Sequence, residues 1–549
     1  MRTLKGWALP WLLLLGCKMP NPAFGEYTDS SVAETTQGSA DTLASDTQAT
    51  TIDPTTGGPT DPTSDATAPT TAPSTSEPTT IEPTTETGVV TDTDCLDRSC
   101  ETETDTGVCE GPGCDAVPLW SRDYDAEEIT LSGLDVDGAG NIVFAGLYRG
   151  TVNFGGDDLV NPAASRIFLV GLSPDGAHQW SKSFGESAYQ EIIDLDVDPS
   201  GKIFITGGYH TSIDFGGGPN IGTPGGADVF VAALTAEGGH IWTKTVIGPN
   251  DQYGRAVVIN DDVLTVAGVY ESGLALPGNF PAPDLFNIFL ARFDAGTGDV
   301  NEGKVTSWGS VNSEQDVSDL ALAPDGDVIM VGSFAGDLFF DKALLAKQQG
   351  ANKSDGYVVR IAPDNKIEWS FAIQGASGFV QVREVDVAGD GITIIGAADD
   401  ELSIGDDPPI PISSTPSLYL LQRDHEGGPL WSLTTSGKGL AVGVDPSSGA
   451  LVGAGESRGG VDYGGGVLQT SGYNDVCIFY LGGDGAHVWS DRFGGDNPMG
   501  VPEFGSRAVI DGQGLLYVGG AFTESIDFGV GEHVTGPGAQ DIFIVKYGH

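Results

Sequence analysis

Basic side chains are scarce in this chain: 25 Lys and Arg stand against 77 Asp and Glu, a formal net charge of −52 over 549 residues. Such a surface repels a phosphate backbone, which argues against binding DNA or RNA, and it disfavours adsorption to an anionic bilayer. Long hydrophobic runs are missing as well. The apolar run near the N-terminus, Leu9–Leu15 with Trp11, is too short to cross a membrane. No helical period of useful length interrupts the chain. Cysteine is rare, with six in all, and clustered His–Cys ligands are absent.

What is present divides the chain into zones. Arg2 and Lys5 precede the apolar run, as in an export signal. The run ends in Leu14-Leu15-Gly16-Cys17, which resembles a bacterial lipobox. That resemblance implies a diacylglyceryl group on Cys17, cleavage before it, and an exported protein held in the cell envelope (outer membrane or cell surface) by several acyl chains. An ordinary signal peptide with an incidental cysteine is the alternative. Residues 18–94 are dominated by Thr, Pro, Ser, Asp and Glu and have too little to bury, so a disordered, extended tether is expected. Cys95, Cys100, Cys109 and Cys114 follow within 95–115. Outside the cytoplasm, an even number of close cysteines points to two disulfides with three open pairings. A tetrahedral zinc site is the alternative, although CxxC spacing is missing.

From residue 116 to 549 the text repeats. Trp120, Trp180, Trp242, Trp369, Trp431 and Trp489 lie 58 to 62 residues apart, except for one gap of 127 in which a Trp is missing near Asn301–Val305. An apolar, β-rich column precedes each Trp position from the second onward and recurs seven times, from Ile167-Phe168-Leu169-Val170 to Ile542-Phe543-Ile544-Val545. A third column pairs two strands about a D-x-x-G turn, as in Leu134–Gly146 and Leu195–Gly207. A fourth is Val152-Asn153-Phe154-Gly155 and its copies at Ile213, Val461 and Ile526. Each unit is therefore four strands. Sheets of this kind bury both faces by radial stacking, and seven of them predict an all-β, seven-bladed β-propeller. The domain opens on a lone Trp strand, Pro118–Tyr124, and ends on an aromatic-column strand without one, so the first strand is expected to complete blade seven.

These columns resemble the bacterial seven-bladed β-propeller (SBBP) repeat family. The resemblance rests on the W-S-x-x-F-G strand (Trp180, Ser181, Phe184, Gly185; Trp489, Ser490, Phe493) and the V-D-x-x-G turns, over about 117–549. The tether with its lipobox is similar to surface lipoproteins of myxobacterial type. The family implies a fold and a setting, with no shared catalytic residues.

Several residues invite chemistry. Gly455-Glu456-Ser457-Arg458-Gly459 matches a nucleophile elbow but lies between strands, where that motif needs a strand-to-helix turn. His178, His240 and His487 share one repeat position, which places them in separate blades as turn or strand-edge residues. Asp194, Asp196 and Asp198 alternate as in a calcium loop. Pro199 replaces the loop glycine, however, and Ile205 stands where an EF-hand needs Glu, so only calcium of another kind stays open. Cys477 occupies the aromatic column and is expected to be buried and inert. Insertions at Leu274–Asp284, Leu344–Ser354 and Ile404–Pro416 are the loops suited to binding. The reading is thus a monomeric, lipid-anchored, non-enzymatic scaffold for a protein or glycan partner, with no catalytic residue, metal or cofactor assigned. The alternative is a hydrolase or lyase using inner-strand carboxylates such as Asp135, Asp194 or Asp386.

Overall fold

The computed structural model describes residues 116–548, except 186–188, 223–224, 279, 281–284, 311–312, 342, 348–353, 377, 390, 414–415, 470–473, 496–502 and 537–538; for 162–164 it describes the backbone alone. Cys17, Cys95, Cys100, Cys109 and Cys114 lie outside the described residues. Among the described residues there is no helix.

The first strands of the seven blades are Glu128–Val136, Gln190–Val197, Gln252–Asn260, Gln315–Leu322, Val380–Ala388, Lys438–Val444 and Phe504–Ile510. Each packs against the first strand of the next blade, and the seventh packs against the first, so they line the axis of a closed ring. Three further antiparallel strands run outward in each blade; blade one adds Ile142–Val152, Leu159–Leu172 and His178–Phe184. The apolar side chains gather into clusters at the faces where neighbouring blades stack. The all-β, seven-bladed propeller expected from the columns is the fold observed.

Closure follows the expected route. Val117–Tyr124 is the outer strand of blade seven and pairs antiparallel with the C-terminal strand Gln540–Gly548, placing Trp120 opposite Lys546 and Tyr124 opposite Ile542. One departure concerns strand number. Leu402–Ile404, leading into the insertion in blade five, adds to the outer strand Ile367–Gly375 of blade four and gives that sheet five strands. An outer strand offers unpaired backbone groups, and this short segment covers part of one such edge.

A repeated irregularity shapes the axis. All seven inner strands carry a β-bulge at the same place, at Ser132, Ile193, Arg255, Ser318, Arg383, Leu440 and Ser506. A bulge bends the strand and twists it more strongly. Here it drives the carbonyl two residues earlier toward the second strand. A Cβ on Gly146 would lie 1.8 Å from the Thr130 carbonyl oxygen, and Gly207, Gly268, Gly332, Gly396, Gly455 and Gly520 meet the equivalent obstacle at 2.0 to 2.2 Å. The glycine in the second strand is thus a packing requirement. In six blades a Phe or Tyr of the third strand lies over it; in blade six Cys477 pairs with Gly455, and Tyr463 stacks on Phe479 nearby at 4.2 Å.

The Trp column binds each blade to the next. Trp120, Trp242, Trp369 and Trp431 donate Nε1–H to the carbonyls of Pro174, Ala295, His425 and Gly483, in the outermost turn of the following blade, at 2.8 to 3.1 Å. The indoles sit on left-handed glycines of those turns, Gly176, Gly298, Gly427 and Gly485; at Gly176, Gly298 and Gly485 a Cβ would collide with the ring at 2.7 to 2.8 Å. Blade three lacks this Trp, and Arg292 substitutes by reaching Ala362 O at 3.0 Å in blade four. Blade seven has no such turn, because its outer strand is the other end of the chain. Trp489 therefore packs on Tyr547 at 5.2 Å.

Candidate functional site

Residues just past each bulge turn toward the axis, and there the acids collect. The position immediately after the bulge is Asp194 in blade two, Asp319 in four, Glu384 in five and Arg507 in seven; two residues on come Asp135, Asp196 and Asp386. Alternation along a strand puts both layers on one face.

Each carboxylate reaches the inner strand of the next blade. Asp194 Oδ2 accepts from Val257 N at 2.9 Å, Asp319 Oδ2 from Val385 N at 2.9 Å and Glu384 Oε2 from Val442 N at 2.5 Å. In the second layer, Asp135, Asp196 and Asp386 accept from Val197, Ile259 and Val444 at 2.7 Å. Asp135, Asp319 and Asp386 use their second oxygen on the amide of the following residue. At the junction of blades seven and one the polarity reverses, and Arg507 donates to the Ser132 carbonyl. Arg255 of blade three pairs with Asp316 of blade four at 2.9 Å.

Taking these groups out of water disfavours the charged form. Burial pushes Asp194 up to about 6, with Arg507 opposing, and Glu384 up to about 8 against the same guanidinium. Asp386 is pushed to about 6 by burial. Burial, with Glu384 and Asp194 adding to it, holds Asp319 well above the carboxylate range. Asp135 is raised strongly by burial and by Asp196, whose carboxyl is hydrogen-bonded to it. Paired acids with displaced protons are also what acid–base catalysis uses. Here they clasp neighbouring blades through backbone amides.

Of the three inner-strand acids considered from sequence, Asp135, Asp194 and Asp386 all lie in this assembly, and Asp196, Asp319, Glu384 and Arg507 join them. The bulge that turns them inward leaves no mark in the residue pattern beyond its fixed place relative to the second-strand glycine. Asp198 caps its own turn, accepting from Ser200 N and Lys202 N, both at 2.9 Å. Asp194, Asp196 and Asp198 are thus each engaged by backbone amides. Among the described residues no three His, Cys, Asp or Glu are grouped to hold a metal ion. Ser457 of the G-x-S-x-G match ends a strand and is buried. Cys477 is wholly buried, and burial pushes its thiol up to about 12.

A second constellation escaped the sequence reading. Ser121 Oγ lies 2.6 Å from His533 Nε2, and His533 Nδ1 lies 2.8 Å from Asp123 Oδ1. The atom order is that of a Ser-His-Asp triad, but the exposure runs the wrong way for a nucleophile: Ser121 is 7% exposed while the Asp123 side chain is 36% exposed. The repeat explains the contact. His240 bonds Thr243 at 3.0 Å and His487 bonds Ser490 at 2.9 Å, each histidine lying two residues before the column Trp. In blade seven Pro118 holds that place, and His533 arrives from the short hairpin Ser525–Asp527 and Glu532–Val534 to supply the imidazole. His178, His240 and His487 pack over Gly156, Gly217 and Gly465 of their own blades and are not brought together.

Two hollows lie away from the axis. One of about 430 Å³ is bordered by Arg122, Asp123, Asn153 and His178; one of about 490 Å³ is bordered by Ser413, Thr434, Ser436, Asp462 and Val467.

No protein-family model matches the chain, and no curated protein does. Among solved structures it is similar to hydrazine synthase of Kuenenia stuttgartiensis, with 10% identity, a TM-score of 0.36, and coverage of 79% of this chain and 99% of that one. It is also similar to a puromycin hydrolase mutant complexed with PGG, with 10% identity, a TM-score of 0.38, and coverage of 74% and 51%. A calcium-binding protein, regucalcin, from Agrobacterium tumefaciens str. C58 shows 13% identity, a TM-score of 0.27, and coverage of 65% and 90%. None of these likenesses transfers an activity to this chain.

Proposed function

We propose that this chain is a lipid-anchored cell-envelope propeller that acts as a non-enzymatic scaffold for a protein or glycan partner. The observation that carries this reading is the engagement of the axial acids: their oxygens hold backbone amides of the next blade, which makes them part of the frame. The lipobox at Cys17, the tether 18–94, the array Cys95, Cys100, Cys109 and Cys114, and the resemblance to SBBP-type lipoproteins of myxobacterial kind support the setting. The contact surface is assigned to the connections between second and third strands in blades three to five. There the hairpin Leu338–Phe340 and Ala343–Leu345 leaves Phe339 and Leu344 half exposed.

The raised protons of Asp194 and Glu384 favour a second reading, a hydrolase or lyase working from the axis. The two separate experimentally. Full-length protein is assayed for retention of envelope glycan and protein fractions and for their cleavage, alongside Phe339→Asp/Leu344→Asp and Asp194→Asn/Glu384→Gln. Retention without cleavage, lost in the first variant and kept in the second, supports the scaffold; cleavage abolished by the second variant supports the enzyme. For the anchor, Cys17→Ser is expected to move the protein to the soluble fraction, and a membrane-bound variant refutes it.

A further inference from the structure

Blade seven is the one blade assembled from both ends of the chain, and a deeply buried carboxyl group sits on each of its two sides. Toward blade six, Glu503 is 0% exposed. Thr523 Oγ1 donates to Glu503 Oε1 at 3.2 Å, while Oε2 has no hydrogen-bond partner among the described residues. That oxygen faces Asp475, also wholly buried, across Gly494: a Cβ on Gly494 would lie 2.3 Å from Glu503 Oε2 and 3.0 Å from Asp475 Oδ1. Arg492 Nη1 pairs with Asp475 at 3.0 Å, so ionising Glu503 as well leaves one uncompensated charge in the cluster. The repeat shows what belongs there. Gln190, Gln252 and Gln315 hold the same place, three residues before the bulge, each against the equivalent glycine, Gly185, Gly248 or Gly309. The amides donate there, Nε2 reaching the carbonyls of Ser165, Asn250 and Ser313 at 2.7 to 3.0 Å, while their Oε1 atoms have no partner among the described residues; a carboxyl group can donate in that slot only when protonated.

Toward blade one, Asp541 is 1% exposed, and its Oδ1 likewise has no partner among the described residues. Of the acids at the same place at the head of the third strand, Asp228 accepts from Gly248 N at 3.0 Å, Asp355 from Gln374 Nε2 at 3.1 Å and Asp475 from Arg492 Nη1 at 3.0 Å. Asp541 faces Asp125 and Asp123 at the end of the closing strand. Burial first, then these neighbours, push Asp541 up to about 7. Burial pushes Glu503 up to about 7, with Asp475 and Glu524 adding to it and the hydroxyl and backbone amide of Thr523 opposing. Around Glu503 the charged groups are Asp475, Arg492 and Glu524; around Asp541 they are Asp123, with His533 bonded to it, and Asp125.

We propose that Glu503 and Asp541 form a proton-operated lock on the closing blade: protonated, they seat blade seven between blades six and one, and loss of the protons loosens both seams and frees Val117–Tyr124. Opening exposes the two groups to water, where a carboxyl group titrates near 4. Each therefore releases a proton on opening between about pH 4 and about pH 7, and within that window the opening equilibrium rises about tenfold per pH unit per group. Above the folded-state values it levels off.

The test is hydrogen exchange on the full chain, corrected for the intrinsic exchange rate, followed from about pH 5 to about pH 8. In the wild type, protection at 117–124 and 540–548 is expected to fall at least about tenfold up to about pH 7 and then level. In Glu503→Gln/Asp541→Asn it should stay high and flat. Should the double variant fail to fold, Glu503→Gln alone, which restores the repeat residue, must remove part of the slope. Wild-type protection indifferent to pH, a loss spread equally over all seven blades, or a variant keeping the wild-type slope overturns the lock. So does protection set by millimolar calcium against chelator in place of pH, since the Asp475–Glu503 gap would then hold a cation.

Discussion

Asp194 and Glu384 accept hydrogen bonds from strands about 60 residues further along the chain, and their protons follow from that placement. A carboxyl group whose value in the fold lies above its unfolded value binds its proton more tightly when folded. It contributes stability fully below about pH 4. That contribution drains as pH rises through about 6 for Asp194 and Asp386 and about 8 for Glu384. Thermal unfolding should therefore drop by roughly 5 °C between about pH 5 and about pH 8, the reverse of ordinary acid denaturation. Asp194→Asn/Glu384→Gln, which keeps both acceptors, should flatten the curve. Asp194→Ala strands the Val257 amide and should cost about 1–3 kcal/mol in denaturant unfolding at every pH. The alternation Asp194-Leu195-Asp196-Val197 is legible as a strand with its acids on one face. The acceptor role is not, because the donor belongs to another repeat and the bulge that aims the side chain involves no distinctive residue type. Cys477 is the opposite case, since its place in an aromatic column already implies burial.

Among elements, the closing strand carries the sharpest consequences. Trp120 fills the junction of blades seven and one and bonds Pro174 O, so Trp120→Ala should cost about 3–5 kcal/mol, and deleting 117–124 should cause aggregation by opening a sheet edge. The Ser121, His533 and Asp123 contacts belong to the same fastening. A fluorophosphonate probe should leave Ser121 unlabelled in native protein. His533→Ala should lower the melting temperature by a few degrees, about what one or two lost hydrogen bonds are worth. Labelling of Ser121 would reinstate a nucleophile. The strand columns, the missing Trp and the incomplete first and last repeats are all legible, because a fixed period leaves a mark in every copy. The fifth strand, Leu402–Ile404, and the arrival of His533 are not, because each occurs once: a cover over an outer edge in blade four, and an imidazole brought beside Ser121 where Pro118 stands.

For the whole molecule, a net charge of −52 means that the ring folds against its own repulsion. Raising salt from about 0.05 M to about 0.5 M should raise the melting temperature, since the screening length shortens from roughly 14 Å to roughly 4 Å. A melting temperature indifferent to salt would mean that the acids are locally neutralised. The ring has a further property. Val117 pairs with Gly548 and Pro118 with Tyr547, so the upstream chain departs from the free end of the closing strand. Tension through that chain falls first on the one blade whose outer strand is not joined by a turn to its neighbour. Pulled between a handle upstream of Val117 and another in blade three, the molecule should yield first by shedding this eight-residue strand, an extension of roughly 27 Å at about 3.4 Å per residue, at lower force than any later step. Mechanically it is a bracelet whose cord is tied at the clasp.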